Sequence, residues 1–88
     1  MLFVVIFGFV FQLSATEWIA CVLCFGLVVG MEMMNTAIEN VVDLASPEKH
    51  PLAAKAKDIA AGAVLVCAII SVVVGVIIFF PKILNLAL

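Results

Sequence analysis

Arginine and tyrosine are missing from this chain, and charge of any kind is scarce, at 11% of 88 residues. With no arginine and only four lysines, it lacks the basic surface that tracks a nucleic-acid backbone, and that class of partner is excluded. Neither G-x-x-x-x-G-K-[ST] nor G-x-G-x-x-G occurs, so there is no P-loop and no Rossmann nucleotide site. Any nucleotide phosphate would have to be held by metal and lysine. No Ser/His/Asp order suggests a hydrolase. Cys21 and Cys24 form a C-x-x-C inside an apolar run, with no histidine or further cysteine pair near enough for zinc. These two and Cys67 read as small packing residues. What is abundant is hydrocarbon: 68% of the residues are hydrophobic and the mean hydropathy is +1.46, where a soluble domain is about 45–50% apolar. A chain this short cannot hide so much apolar surface in a water-soluble core, so its solvent is lipid.

The apolar runs predict three transmembrane helices in a single all-α membrane domain. The first covers about 1–13, MLFVVIFGFVFQL. It is shorter than the roughly 20 residues of a full span, and it lacks the basic start and small-residue cleavage site of a signal peptide. It reads as a span whose beginning is missing. A tight polar turn follows, in which Ser14 or Thr16 can cap the second helix, about 17–44. Glu17 suits that helix's positive end and Trp18 the headgroup boundary. The loop 45–52, ASPEKHPL, has residues before proline at Ser46 and His50, where helix is disfavoured. The third helix covers about 53–80, is rich in small residues at its start, and is predicted to end at Pro81. Lys82 beyond it can snorkel to headgroups. Lys49, Lys55 and Lys57 cluster around the 45–52 loop while the 13–16 turn has no lysine, so the loop is predicted to be cytoplasmic.

The unusual stretch is GMEMMNTAIENVVD, Gly30 to Asp43, at the end of the second helix. At about 100° per residue, Glu32, Asn35, Glu39 and Asp43 fall at roughly 0°, −60°, −20° and +20° around the axis, in a stripe about 16 Å long. Each carboxylate set into a membrane costs roughly 2.5–3.5 kcal/mol on insertion scales. A polar seam between helices needs one or two such groups rather than four in register, so the stripe is the candidate active site. About 20 residues after Trp18 the chain reaches the far interface, with Glu39 and Asp43 at the water boundary and Glu32 about 10 Å deeper. Interfacial carboxylates can hold Mg²⁺, and a desolvated deeper one can act as a general base. Lys57-Asp58, at the start of the third helix, offers a phosphate-binding cation opposite the cluster. His50, the one histidine, sits in the loop above it.

EMMNTAIENVVD, followed by SPEKHPLAAKAKDIAAGAVL, resembles the signature of the small prokaryotic lipid kinases, the family of bacterial diacylglycerol kinase and undecaprenol kinase. Strong resemblance runs from Gly30 to Leu65. It implies that Glu32 is the general base for the lipid hydroxyl and that Asn35 positions that hydroxyl. Glu39 is similar to the carboxylate that binds the Mg²⁺ of Mg-ATP. Asp43, Glu48, His50, Lys57 and Asp58 resemble residues lining the nucleotide, and Ala61 resembles a lipid-touching position. It further implies a homotrimer of three-helix subunits in the bacterial cell membrane, with active sites at the cytoplasmic face shared between neighbouring chains. Family members carry a preceding amphipathic surface helix with a second metal-binding glutamate. This chain begins past that point, so half the metal site is expected to be missing and these residues alone are not expected to be active.

The expected reaction is transfer of the ATP γ-phosphate to a membrane lipid alcohol. Undecaprenol is favoured over diacylglycerol because the 46–58 stretch and the ending IIFFPK look more like the Gram-positive members. A proton- or ion-translocating subunit is the reading from another class, but it needs one mid-membrane carboxylate rather than a stripe. A non-enzymatic helical bundle is a third.

Overall fold

Helix starts and stops in this chain follow from a few polar side chains set among long apolar runs. The computed structural model describes residues 2–87. They form α1 (Leu2–Phe11), α2 (Ala15–Ala45) and α3 (Pro51–Ala87), with no strand among the described residues. Ser14 caps α2. Its hydroxyl accepts from the Glu17 backbone N–H at 3.2 Å, and its own N–H donates to Glu17 Oε1 at 3.0 Å. That reciprocal box satisfies two N–H groups that the first turn would otherwise leave without partners.

α1 ends where Gln12 takes a left-handed conformation, φ 55°, and Leu13 N–H reaches back to the Gly8 carbonyl at 3.1 Å. This is a Schellman closure, made here without the usual glycine. At the far end of α2, Ser46 stands before Pro47 with φ −139° and ψ 77°, outside the helical region as a residue before proline prefers. α3 opens with Pro51 in the first helical position, where its missing N–H costs nothing. His50 caps it: Leu52 N–H donates to His50 Nδ1 at 3.1 Å, and Ala54 N–H donates to the His50 carbonyl at 3.1 Å.

α2 and α3 lie antiparallel along most of a molecule 57 Å long and 18 by 17 Å across. Among the less exposed positions of α2, Cys21, Cys24, Val28, Met31, Asn35, Ile38 and Val42 are spaced alternately by three and four. On α3, Ala53, Lys57, Ala60, Val64, Cys67, Ser71, Val74 and Ile78 repeat the rhythm. That three-and-four spacing lines one side of each helix up as the seam between them. A Lys82–Glu17 pair stands at one end of the hairpin and a Lys57–Asp43 pair at the other.

Ala60 is buried apart, toward the bend, while the buried cluster lies at the end near α1. Leu13, Cys21 and Ile78 are buried there, with Val4, Trp18, Val74 and Phe79 against them. Phe9 meets Trp18 at 5.5 Å and Phe11 meets Phe79 edge-on at 6.1 Å between ring centroids, tying α1 to both long helices. Most other large apolar side chains point outward, as they do where the solvent is hydrocarbon.

One expectation is met in part and another changes. Of the three helices, two are long and apolar enough to cross a membrane: α2 with 31 residues and α3 with 37. The described α1 has 10 residues, about 15 Å against a hydrocarbon core of about 30 Å. Met1, with which the expected first helix starts, lies outside the described residues. Secondly, Pro81 does not end α3, which continues through it to Ala87. The proline removes one N–H from the ladder, leaving the Ile77 carbonyl without its helical donor. Membrane helices tolerate such a loss where neighbours restrain the chain. Here Lys82, the next residue, is held by Glu17 at 3.1 Å.

Candidate active site

The α2–α3 bend closes over a cavity of about 630 Å³. Asp43 comes from the last turns of α2, Ser46, Glu48, Lys49 and His50 from the connection, and Lys57 from the second turn of α3. The two prolines make this connection short and stiff, so the helix ends are brought together with their charged residues facing each other. Lys57 Nζ donates to Asp43 Oδ1 across the bend. Ser46 steadies the turn: its N–H donates to the Val42 carbonyl at 2.8 Å, and its hydroxyl donates to the Glu48 carbonyl at 3.0 Å. Since His50 Nδ1 accepts from Leu52 N–H, the neutral ring carries its proton on Nε2, which leaves an N–H donor on its other side. Four residues expected to line a nucleotide, Asp43, Glu48, His50 and Lys57, therefore share one cavity.

Asn35 and Glu39 stand further into the helix. Asn35 Nδ2 donates to Glu39 Oε1 at 3.3 Å, which orients that carboxylate. Asn35 itself lies in the seam, and its Oδ1 is buried with no partner. Among the described residues, no three histidine, cysteine or acidic side chains converge on a metal position. A single exposed carboxylate such as Glu39 still suits Mg²⁺, which commonly takes one or two carboxylates and completes its shell with phosphate oxygens and water.

Glu32 faces elsewhere. It lines a separate shallow groove of about 480 Å³ on α2, with Val29, Met33, Thr36, Ala37 and Asn40. Thr36 Oγ1 donates to its backbone carbonyl at 3.1 Å, and the carboxylate is exposed. The groove's lining alternates apolar Val29, Met33 and Ala37 with polar Glu32, Thr36 and Asn40. Asp58 and Ala61 are exposed and line neither the cavity nor the groove. Ala61 follows Lys57 by one turn on the same flank.

Sequence reasoning missed the parts that Ser46 and Lys49 play in the cavity, since Lys49 served only to orient the chain. It also missed the Asp43–Lys57 and Glu17–Lys82 pairs, for which no local pattern exists.

The family model described as prokaryotic diacylglycerol kinase matches residues 1–79. The chain belongs to that family. Its relatives within prokaryotic diacylglycerol kinases include the undecaprenol kinase of Bacillus subtilis, 51% identical over 79 residues, which cover 90% of this chain and 64% of that protein. The diacylglycerol kinase of Synechocystis is 51% identical over 61 residues, 68% of this chain and 35% of that protein. The diacylglycerol kinase of Escherichia coli K12 is 45% identical over 47 residues, 53% of this chain and 38% of its own length. The chain thus spans less than two thirds of the length of these relatives. No solved structure matches it.

Proposed function

We propose that the chain is the membrane portion of a lipid kinase that moves the γ-phosphate of ATP onto a membrane lipid alcohol. The observation that carries this reading is the cavity at the bend, where Asp43, Glu48, His50 and Lys57 meet. Family membership gives that cavity its chemistry. Phosphoryl transfer asks for positioning and charge neutralisation rather than covalent catalysis, which a few polar groups at a helix bend can supply. Glu39 would hold the Mg²⁺, which when bound neutralises phosphate charge. Lys57 and His50 donate to the nucleotide from the cavity walls with Glu48 beside them, and Asp58 reaches it only from outside the cavity. Glu32 takes the proton of the lipid hydroxyl as its oxygen attacks the γ-phosphorus and the bond to ADP breaks. Asn35, one turn along the helix from Glu32, helps position that hydroxyl in this reading, and Ala61 borders the lipid.

The same reading makes the subunit a three-span member of a homotrimer in the bacterial cell membrane, its bend on the cytoplasmic side with the lysines. Glu32 and the cavity lie on different surfaces of one chain, and a neighbouring subunit packed against that flank of α2 would close the gap between them.

For the acceptor we favour undecaprenol, supported by the 51% identity to the Bacillus enzyme over 90% of this chain. Diacylglycerol is the second reading, supported by the equal identity of the Synechocystis diacylglycerol kinase over a shorter stretch. The test is ATP-dependent phosphorylation of each lipid in the intact membrane-embedded protein. Faster labelling of undecaprenol is the expected result, equal rates remove the preference, and no labelling of either rejects the kinase reading.

A further inference from the structure

Asp43 has so far been grouped with the residues that touch the nucleotide, and the geometry at the bend gives it a different task. Its Oδ1 is already engaged by Lys57 Nζ. The pair is open to solvent, with the two side chains 38% and 63% exposed on the lysine and the aspartate. Exposed pairs of this kind add little to stability. Nor is it needed for the hairpin's register, which the opposite end fixes through Glu17–Lys82 and the buried Leu13, Cys21 and Ile78. What the pair does control is the lysine. A lysine carries its charge on a long flexible stem and loses considerable rotamer freedom when a ligand immobilises it. Its ammonium has three N–H donors, and Asp43 takes one, leaving two for the cavity. A free carboxylate on this wall would repel a polyphosphate, whereas one neutralised by lysine does not.

We infer that Asp43 is a positioning residue: it contacts neither nucleotide nor metal, and it acts by holding Lys57 across the cavity with two donors turned toward a phosphate oxygen. The inference rests on the kinase reading, and its test separates the two. In the intact membrane-embedded protein, acylation of each lysine by acetic anhydride is followed by mass spectrometry. Asp43→Asn accelerates modification of Lys57 several-fold and leaves Lys82, paired with Glu17 at the other end, unchanged. In the kinase assay the same variant raises KM for ATP about tenfold, the scale of a lysine's lost freedom. Its kcat stays within about twofold, the mark of an effect on binding rather than on the transition state alone. Asp43→Glu restores most of the loss. In a Lys57→Gln background Asp43→Asn has no further effect, because the carboxylate has nothing left to hold.

Asp43→Asn exerting its full effect on top of Lys57→Gln overturns the inference, since the carboxylate would then touch the nucleotide itself. Normal ATP turnover with Lys57 modification unchanged by Asp43→Asn overturns it alone. Absence of any ATP turnover by the unaltered protein overturns the kinase reading and this inference with it.

Discussion

Each end of the α2–α3 hairpin has one lysine–carboxylate pair, and the two are built differently. At the α1 end, Glu17 and Lys82 are each 26% exposed in their side chains, Glu17 doubles as a member of the capping box, and the buried Leu13, Cys21 and Ile78 lie alongside. At the bend, Asp43 and Lys57 are more exposed and flank a cavity of about 630 Å³. One end is packed and saturated with hydrogen bonds, while the other has polar groups with capacity to spare. Packing holds a shape, but a site that binds a ligand from water has to keep donors and acceptors unspent. The chain separates the two tasks along its length.

That division can be broken or sharpened by substitution. The largest expected effect is Glu32→Gln, which lowers lipid phosphorylation by about 10²–10⁴-fold as a lost general base while leaving thermal unfolding in detergent unchanged. A variant that unfolds early instead would make the carboxylate a structural group. Next, Glu39→Gln is expected to raise the Mg²⁺ concentration needed for half-maximal turnover, read from a metal titration at fixed ATP. At the packed end, Gly8→Ala drives a Cβ into the Trp18 ring. It should cost about 1–3 kcal/mol of stability by overpacking, measured by thermal denaturation, with KM for ATP unaltered. Ser14→Ala breaks the capping box for about 1 kcal/mol, by the same measurement. The smallest effect has the opposite sign. Gln12→Gly relieves the left-handed backbone at φ 55° and should stabilise the protein by about 0.5 kcal/mol. If Gly8→Ala or Ser14→Ala altered ATP affinity, the two ends would not be independent.

How much of this could be read from the residues differs from place to place. Ser14, the proline-flanked bend and the two long helices follow from local chemistry, because caps and residues before proline act within a turn. That His50 and Lys57 stand near the acidic end of α2 was legible for the same reason, since a short stiff loop cannot keep its two ends apart, whereas Glu48 entered only through the family resemblance. The stripe was legible only in part. Angles around one helix give the relative directions of Glu32, Asn35, Glu39 and Asp43, but not which of them faces α3. The seam running through Cys21, Cys24, Val28, Met31, Asn35, Ile38 and Val42 decides that, and it turns Asn35 inward while Glu32 faces a groove of its own. Its three-four rhythm is visible in the sequence, though masked because nearly every neighbour is apolar too. Pro81 misled because the rule that proline stops a helix comes from chains in water, where a freed carbonyl has solvent to turn to. Glu17–Lys82 joins residues far apart in the chain, and no local pattern announces it.

The lengths of α2 and α3 have a last consequence. At 31 and 37 residues they extend about 46 and 55 Å, well beyond an oily layer about 30 Å deep. On the kinase reading the surplus works as a stilt. It lifts the bend clear of the acyl tails, so the nucleotide keeps its hydration shell until it meets protein, and only the acceptor's hydroxyl has to climb. The height of the bend relative to the headgroups would then depend on how thick the surrounding bilayer is.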